Sequence, residues 1–262
     1  MKILLTGHKG FIGQHLHRAL KEKYQKINDE VFVYEWGNKV PEVQHLDWVI
    51  HIGAISSTSE RDVDKVMEQN YEFSVDLYRE CRFHGVNFQF ASSASVYGLN
   101  KEFKESSPVD PRTPYAWSKY MFERFVNRFP PVNSVAQIFR YFNVYGPEGE
   151  EHKGSQASPF MQFKKQAETT GKIKIFEDSI TTYRDFVPVQ QVVDTQLEFM
   201  NINESGIFNI GTGNTMSFQD VAKLYNAPIT LIPMPKELEY SYQTYTCADM
   251  TKTNNALATV KK

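Results

Sequence analysis

Short apolar runs alternate with longer stretches of helical period through the first half of the chain. The runs at Lys2–Thr6, Val31–Tyr34, Trp48–Ile52, Asn87–Ala91 and Ser134–Arg140 predict strands, and the segments Phe11–Tyr24, Asp62–His84 and Tyr115–Arg128 predict helices. In the first helix Ile12, Leu16, Ala19 and Leu20 fall on one stripe, as a helix lying on a sheet requires. Alternation of this kind predicts an α/β fold in which a parallel sheet is covered by helices on both faces. After Asn143 the texture changes. Gly146, Pro147, Gly149 and Gly154 punctuate a polar loop, and beyond it lie a helix at Pro159–Glu168, a strand near Lys174–Phe176, a helix at Gln190–Asn201 and a strand at Ile207–Ile210. Pro228, Pro233 and Pro235 predict an irregular tail with short pieces. The expected division is a main domain over 1–145, to which 186–204 returns, and a smaller α+β lobe over 146–185 and 205–262.

The segment Trp36–Asp47 between the second and third strands is short and contains Pro41. It cannot hold a helix of about 11–12 residues, a strand of about 5–6 and their connections. An edge strand is therefore expected to be missing or vestigial. Because the chain stops soon after Ala248-Asp249-Met250-Thr251, no further helix is expected there.

Composition removes several classes of function. An apolar content of 41% suits a packed globule, and no apolar run approaches the roughly 20 residues that span a bilayer. Met1-Lys2-Ile3-Leu4-Leu5-Thr6 meets Gly7 too early to form a signal-peptide core, so a cytoplasmic protein without a membrane partner is expected. A net charge of −2 offers no general attraction for nucleic acid. Cys81 and Cys247 match no metal spacing and read as free thiols, and no metal site is expected.

Chemistry enters with Thr6-Gly7-His8-Lys9-Gly10-Phe11-Ile12-Gly13, which joins the first strand to the first helix. Glycine at three fixed places lets the chain turn tightly, approach a pyrophosphate and pack helix against strand, while the helix N-terminus offers unpaired N–H groups to the phosphates. The main domain is thus expected to be a Rossmann-like, doubly wound dinucleotide-binding domain, shortened after its second strand. Glu35, after that strand, can accept a hydrogen bond from a ribose 2′-hydroxyl and would repel a 2′-phosphate, which favours NAD. Lys39 nearby softens the preference. The alternative for Glu35 is a solvated carboxylate at a strand end.

Tyr115 and Lys119, four residues apart behind Pro114, share one helix face. A cation there favours phenolate and is expected to lower the tyrosine pKa, so that Tyr115 can take a proton from a substrate hydroxyl. Tyr97 and Lys101 have the same spacing, but they sit in what reads as a loop. Ser92 and Ser93 close a strand at the carboxyl edge of the sheet, where ligands bind in such folds, and Ser93 can share the substrate oxygen.

Together these motifs resemble the extended short-chain dehydrogenase/reductase family, also described as the NAD-dependent epimerase/dehydratase family. The residues that carry the resemblance are the glycine turn, His51-Ile52-Gly53-Ala54-Ile55-Ser56, Ala91 to Gly98, the Tyr115/Lys119 pair and Arg140 to Pro147. A narrower resemblance, to the subgroup of ADP-heptose 6-epimerases, rests on His152 to Ser158, Phe176 to Ser179, Tyr183 to Val187, Gly206 to Gly213, and Tyr242-Gln243. The resemblance implies an enzyme of carbohydrate metabolism, a nucleotide-sugar isomerase that inverts C6 of an ADP-heptose. Hydride passes transiently to bound NADP or NAD, by way of a ketone, and NADP is the cofactor the subgroup implies.

The resemblance gives Tyr115, Lys119, Ser93 and Lys153 catalytic roles, with Lys153 as the second base. Left in water that lysine would stay protonated, so the role requires burial, and a loop lysine binding phosphate or solvent is the alternative. Cofactor contacts are implied for Gly7, Gly10, Phe11, Ile12, Gly13, Glu35, Gly53, Ala54, Asn70, Lys119 and Val144. Sugar contacts are implied for Ser93, Asn143, Ser155 and Gln162, the last standing where the subgroup has histidine. Phe176, Glu177, Ser179, Arg184 and Tyr242 would hold the nucleotide end, although Arg184 could instead pair with Asp185 at the surface. Members often form dimers or larger oligomers, which the resemblance extends to this chain as an expectation. Ala94 and Ser95 stand where sugar dehydratases carry an acid pair, which argues against dehydration. Another nucleotide-sugar epimerase or reductase, or a non-catalytic NAD(P)-binding relative, are the competing readings.

Overall fold

In a computed structural model the structure describes residues 1–260 apart from Gln25, Asn28 and Ser241, with the side chains of Ser155, Glu237 and Glu239 outside the description. The main sheet takes strands β1 (Lys2–Thr6), β2 (Glu30–Tyr34), β3 (Trp48–His51), β4 (Asn87–Ser93) and β5 (Ala136–Tyr141). Helices α1 (Phe11–Lys23), α2 (Val63–Val66), α3 (Phe73–His84) and α4 (Pro114–Arg128) connect them. Thereafter come β6 (Asn143–Tyr145), α5 (Pro159–Thr170), β7 (Ile173–Phe176), β8 (Tyr183–Arg184), β9 (Phe186–Pro188) and α6 (Val189–Phe199). The chain continues through β10 (Gly206–Ile210), β11 (Met216–Ser217), α7 (Phe218–Lys223), β12 (Ile229–Ile232), α8 (Lys236–Glu239) and α9 (Thr251–Ala258).

Six parallel strands form the main sheet in the order β10-β5-β4-β3-β1-β2. Alternate residues of each strand feed separate cores. Ile3, Leu5, Trp48 and Ile50 pack with Leu16, Leu20, Val193 and Leu197 of α1 and α6. Leu4, Val49, Phe88 and Phe90 pack with Leu77, Tyr78, Phe122 and Val126 of α3 and α4. Burial on both faces is why these strands read as unbroken apolar runs. The Rossmann-like α/β reading holds.

The expected loss of an edge strand also holds, since β2 forms the edge and residues 36–47 add neither helix nor strand. Phe32 and Val33 are left exposed there, while Val43 and Leu46 fold back into the core beside α3. Three expectations need correction. Gly206–Ile210, assigned to the lobe, is the sixth strand of the main sheet and pairs with β5. The segment after Met250 forms α9 although Thr and Asn are poor helix formers. Tertiary bonds hold it: Lys252 Nζ donates to Ile207 O at 2.7 Å, and Thr253 Oγ1 donates to Asn209 O at 2.7 Å. The helix over 62–84 is interrupted by a π turn at Met67–Glu72, with Asp62 capping its start through the Lys65 N–H.

Candidate active site

The glycine turn is built as the spacing requires. Gly7 has φ +72°, and a Cβ there would lie 2.5 Å from Gly53 Cα, so two backbone segments touch where a side chain would separate them. A Cβ on Gly13 would meet Gly7 O at 1.9 Å. The turn and the Gly53–Ala54 segment therefore form one narrow cradle at the α1 N-terminus, suited to a pyrophosphate. Thr6 Oγ1 accepts from Gly53 N at 3.0 Å and lies 2.6 Å from His51 Nδ1, while His51 Nε2 meets Ser74 Oγ at 2.8 Å. Burial, assisted by the Lys119 charge, pushes His51 down to about 3, which keeps it a neutral strut.

Next to the cradle, a cleft of about 590 Å3 is lined by Gly7, Gly10, Phe11, Ile12, Gly13, Glu35, Gly53 and Ala54 on the cofactor side. Ser93, Tyr115, Lys119, Asn143, Val144 and Lys153 also line it. All four expected catalytic side chains thus share one cavity with the glycine turn. A side cavity of about 140 Å3 opens between Glu35, Trp36, Gln69 and Phe73. Tyr34 stacks on Phe73 at 5.1 Å, and Trp36 meets it edge-on at 5.5 Å. These rings give the shortened edge an apolar wall. Cradle, carboxylate and aromatic recess together fit a nicotinamide dinucleotide, and NAD or NADP suits the site. Glu35 Oε1 accepts from Lys9 N at 2.8 Å, so the turn aims its carboxylate.

Thr113 caps α4 through the Ala116 N–H and Pro114 fills the first turn, which places Tyr115 at the mouth of the cleft. Ser93 hydrogen-bonds the Tyr115 phenol. The expected drop in the tyrosine pKa is not found. Burial pushes Tyr115 up, and only the Ser93 hydrogen bond opposes it. The cation that was to lower it is itself weakened: Lys119 is 2% exposed and burial brings it down to about 7, against the pull of Glu123. Its Nζ lies 4.5 Å from the Phe90 ring centre and 5.7 Å from that of Tyr115.

Lys153 stands in a 3-10 turn over Glu151–Gln156, its Nζ 5.2 Å from the Phe11 ring centre. Burial lowers its pKa, the condition set for a base, and Glu150 opposes that shift. Asn70, expected to touch the cofactor, lies behind the wall. It is fully buried, it exchanges two hydrogen bonds with the Ile55 backbone, and it donates to Ser118 Oγ. It shapes the cradle and does not face it.

The residues expected at the nucleotide end gather apart from the cleft lining. Tyr242 meets Phe176 at 6.3 Å and lies 3.3 Å from Ser179 Oγ, and the Arg184 guanidinium sits 5.3 Å from the Tyr242 ring centre. Glu177 follows Phe176 in a short 3-10 turn. Arg184 is 6% exposed and no ion pair holds it among the described residues, whereas Asp185 turns away to accept from Thr212, Gly213 and Ala248. A surface Arg184–Asp185 pair is thereby removed. Gln162 donates to Ala157 O at 2.6 Å, behind the lining, and the Ser155 side chain lies outside the described residues.

Sequence reading missed two glutamates. Glu123, one turn beyond Lys119, binds Arg140 through both oxygens, at 3.0 and 2.6 Å, and accepts from Ser92 at 2.6 Å. Its spacing of four from Lys119 was the available signal. Glu150 is fully buried beneath Lys153, and nothing in the loop's polar composition singled it out. A larger hollow of about 1040 Å3 between α4 and α9 holds none of the expected site residues.

No helix among the described residues is long and apolar enough to cross a membrane. A family model for NAD-dependent epimerases and dehydratases matches residues 3–211. Among solved structures, the chain is similar to the Helicobacter pylori ADP-L-glycero-D-manno-heptose-6-epimerase at 25% identity and a TM-score of 0.84, covering 98% of this chain and 90% of that one. It is similar to the Thermotoga maritima UDP-glucose 4-epimerase at 26% identity and a TM-score of 0.82, covering 98% and 93%. The Thermus thermophilus UDP-glucose 4-epimerase, solved with NAD, shares the fold at 23% identity and a TM-score of 0.79, covering 97% and 92%. A match over most of the chain, ending on a glycine turn and a Tyr–Lys pair that meet in one cleft, places this protein in the NAD-dependent epimerase/dehydratase family of nucleotide-sugar enzymes.

Proposed function

We propose that this protein is a nucleotide-sugar epimerase that inverts C6 of an ADP-heptose through a transient ketone. The observation that carries the reading is the presence of Lys153 in the same cleft as Tyr115. Inversion without net redox change needs a proton acceptor or donor for each face of the reacting carbon, and the cleft offers two. Gly7, Gly10, Gly13, Glu35, Gly53 and Ala54 would hold the nicotinamide dinucleotide, which would supply a reversible hydride acceptor. Tyr115 and Ser93 hold the substrate oxygen, and Tyr115 moves its proton. The Lys119 ammonium, once paired with ligand oxygens, draws the phenol toward ionisation. Lys153 serves the other face, and Asn143 orients the sugar. Arg184, buried with no carboxylate partner among the described residues, suits the diphosphate oxygens, with Phe176, Glu177, Ser179 and Tyr242 toward the base. Ala94 is buried and carries no acid, which fits epimerisation better than dehydration. A cytoplasmic enzyme with bound NADP or NAD, assembled as a homo-oligomer, is the accompanying proposal.

The second reading is an epimerase or reductase for another nucleotide sugar. Gln162, tied to Ala157 O where the subgroup has histidine, favours it. A panel of ADP-, GDP-, UDP- and dTDP-sugars decides between them. Inversion of ADP-heptose at C6 without NADH accumulation is the expected result, and turnover confined to other nucleotides would remove the heptose reading.

A further inference from the structure

The loop over 146–158 is closed by one carboxylate. Glu150 is 0% exposed, and both of its oxygens are in use. Oε1 accepts from Ser158 Oγ at 2.7 Å and from Gly146 N at 3.4 Å, which ties the two ends of the loop together. Oε2 accepts from Ser158 N at 2.6 Å and stands 3.6 Å from Lys153 Nζ. The closest hydrogen-bond donors of Glu150 are neutral groups of the loop itself, and among the described residues no arginine pairs with it. The lysine it faces is mostly buried, and its Nζ also lies 5.2 Å from the Phe11 ring centre. Burying a carboxylate costs several kcal/mol unless its partners offset it, so a loop that needed only closing could use an uncharged acceptor.

We propose that Glu150 is a positioning residue: its buried charge holds the Lys153 ammonium over Phe11 and sets how readily that lysine gives up its proton. This deepens the epimerase reading and rests on Lys153 facing the reacting carbon. The charged and titratable groups around Lys153 are His152 in its own turn, Tyr115 and Lys119 of α4, Tyr141 of β5 and Glu35 after β2, all lining the same cleft. Among the described groups Glu150 is the one whose charge acts on Lys153, and it acts against burial. An opposite charge at this range shifts a titration by about 1 unit or more.

The test is made on the full chain with three variants, Glu150→Gln, Glu150→Asp and Ser158→Ala, and two readouts. One is the pH midpoint of amine-reagent labelling at Lys153, read by peptide mass spectrometry, which requires no turnover. The other is the pH profile of sugar-nucleotide turnover. Glu150→Gln is expected to lower the labelling midpoint by about 1 pH unit and to move the acid limb of turnover down with it. Glu150→Asp should move both in the same direction by less. Ser158→Ala removes the hydroxyl hydrogen bond of the clasp but keeps the carboxylate, and should leave both midpoints in place. An unshifted Glu150→Gln, or a Ser158→Ala shift as large, overturns the proposal. If Glu150→Gln does not fold, Glu150→Asp against Ser158→Ala makes the same decision, and equal shifts overturn it. A labelling shift without any epimerase activity would retain the coupling and reject the reaction instead.

Discussion

Two lysines, Lys119 buried and Lys153 partly buried, enter the cleft from different elements, and each has a buried glutamate within one helical turn. The resemblance ends there. Glu123 is bound through both oxygens to Arg140, which stacks 4.7 Å from the Tyr97 ring centre, so most of its charge is spent away from Lys119. Lys119 sinks to about 7. Glu150 is bound by neutral Ser158 and Gly146 groups and faces Lys153 at 3.6 Å, with no arginine among the described residues between them. Of the first pair, Lys119 lines the cleft, while Glu123 is tied to Arg140 beneath it and belongs to the scaffold. The second closes a loop at the cleft and is placed to adjust a proton. Like residues at like spacing thus do different work, because a carboxylate's partner decides where its field goes.

The largest expected effect bears on the α4 side. Tyr115→Phe keeps the ring and removes the hydroxyl, and should lower turnover by about 10²- to 10⁴-fold at unchanged fold. Full turnover in that variant would break the assignment of chemistry to α4. Next is stability. Glu123→Gln strands the Arg140 charge in the core and should cost about 3–5 kcal/mol in chemical denaturation. Replacing both, as in Glu123→Leu with Arg140→Met, should recover most of it. Glu150→Gln, which strands no arginine, should cost about 1–3 kcal/mol. Equal losses from the two single variants would erase the distinction between scaffold and loop.

The smallest effect is in pH dependence. Lys119 titrates lower in the folded chain than in the unfolded one, where a lysine holds its proton to about pH 10. Between about pH 7 and 10 the unfolded state therefore binds more protons, and stability rises with pH. Thermal melts of the protein should climb across that window, and Lys119→Met should flatten the climb. A melting profile unaffected by that replacement would mean that the Lys119 charge is already satisfied.

Much of this was legible along the chain. The glycine turn is local: three residues without Cβ at fixed spacing admit few other uses, and Gly7 and Gly13 occupy the contacts that the spacing implies. Strand and helix alternation likewise gave the parallel sheet. Tyr97 with Lys101 and Tyr115 with Lys119 are identical as spacings. Their places along the chain, a loop and a helix start, told them apart, and packing bears that out, since Tyr97 is fully buried with its hydroxyl on Asn209 while Tyr115 meets the cleft. Other features were not local. The lobe assignment of Gly206–Ile210 failed because a short apolar run does not announce which sheet it joins. Asn70 looked like a cofactor contact, yet the π turn that contains it points it at Ile55 and Ser118.

The sequence by itself determined the backbone chemistry: where glycine allows close approach, where proline starts a helix, which runs can be buried on two faces. These follow from steric limits and from period, which act between near neighbours. The tertiary structure alone decided the charge states of Lys119 and Lys153, the partners of Glu123 and Glu150, and the rings that wall the shortened edge. Burial and electrostatic pairing depend on distances between groups far apart in the chain, and those distances exist only once the sheet has closed around them.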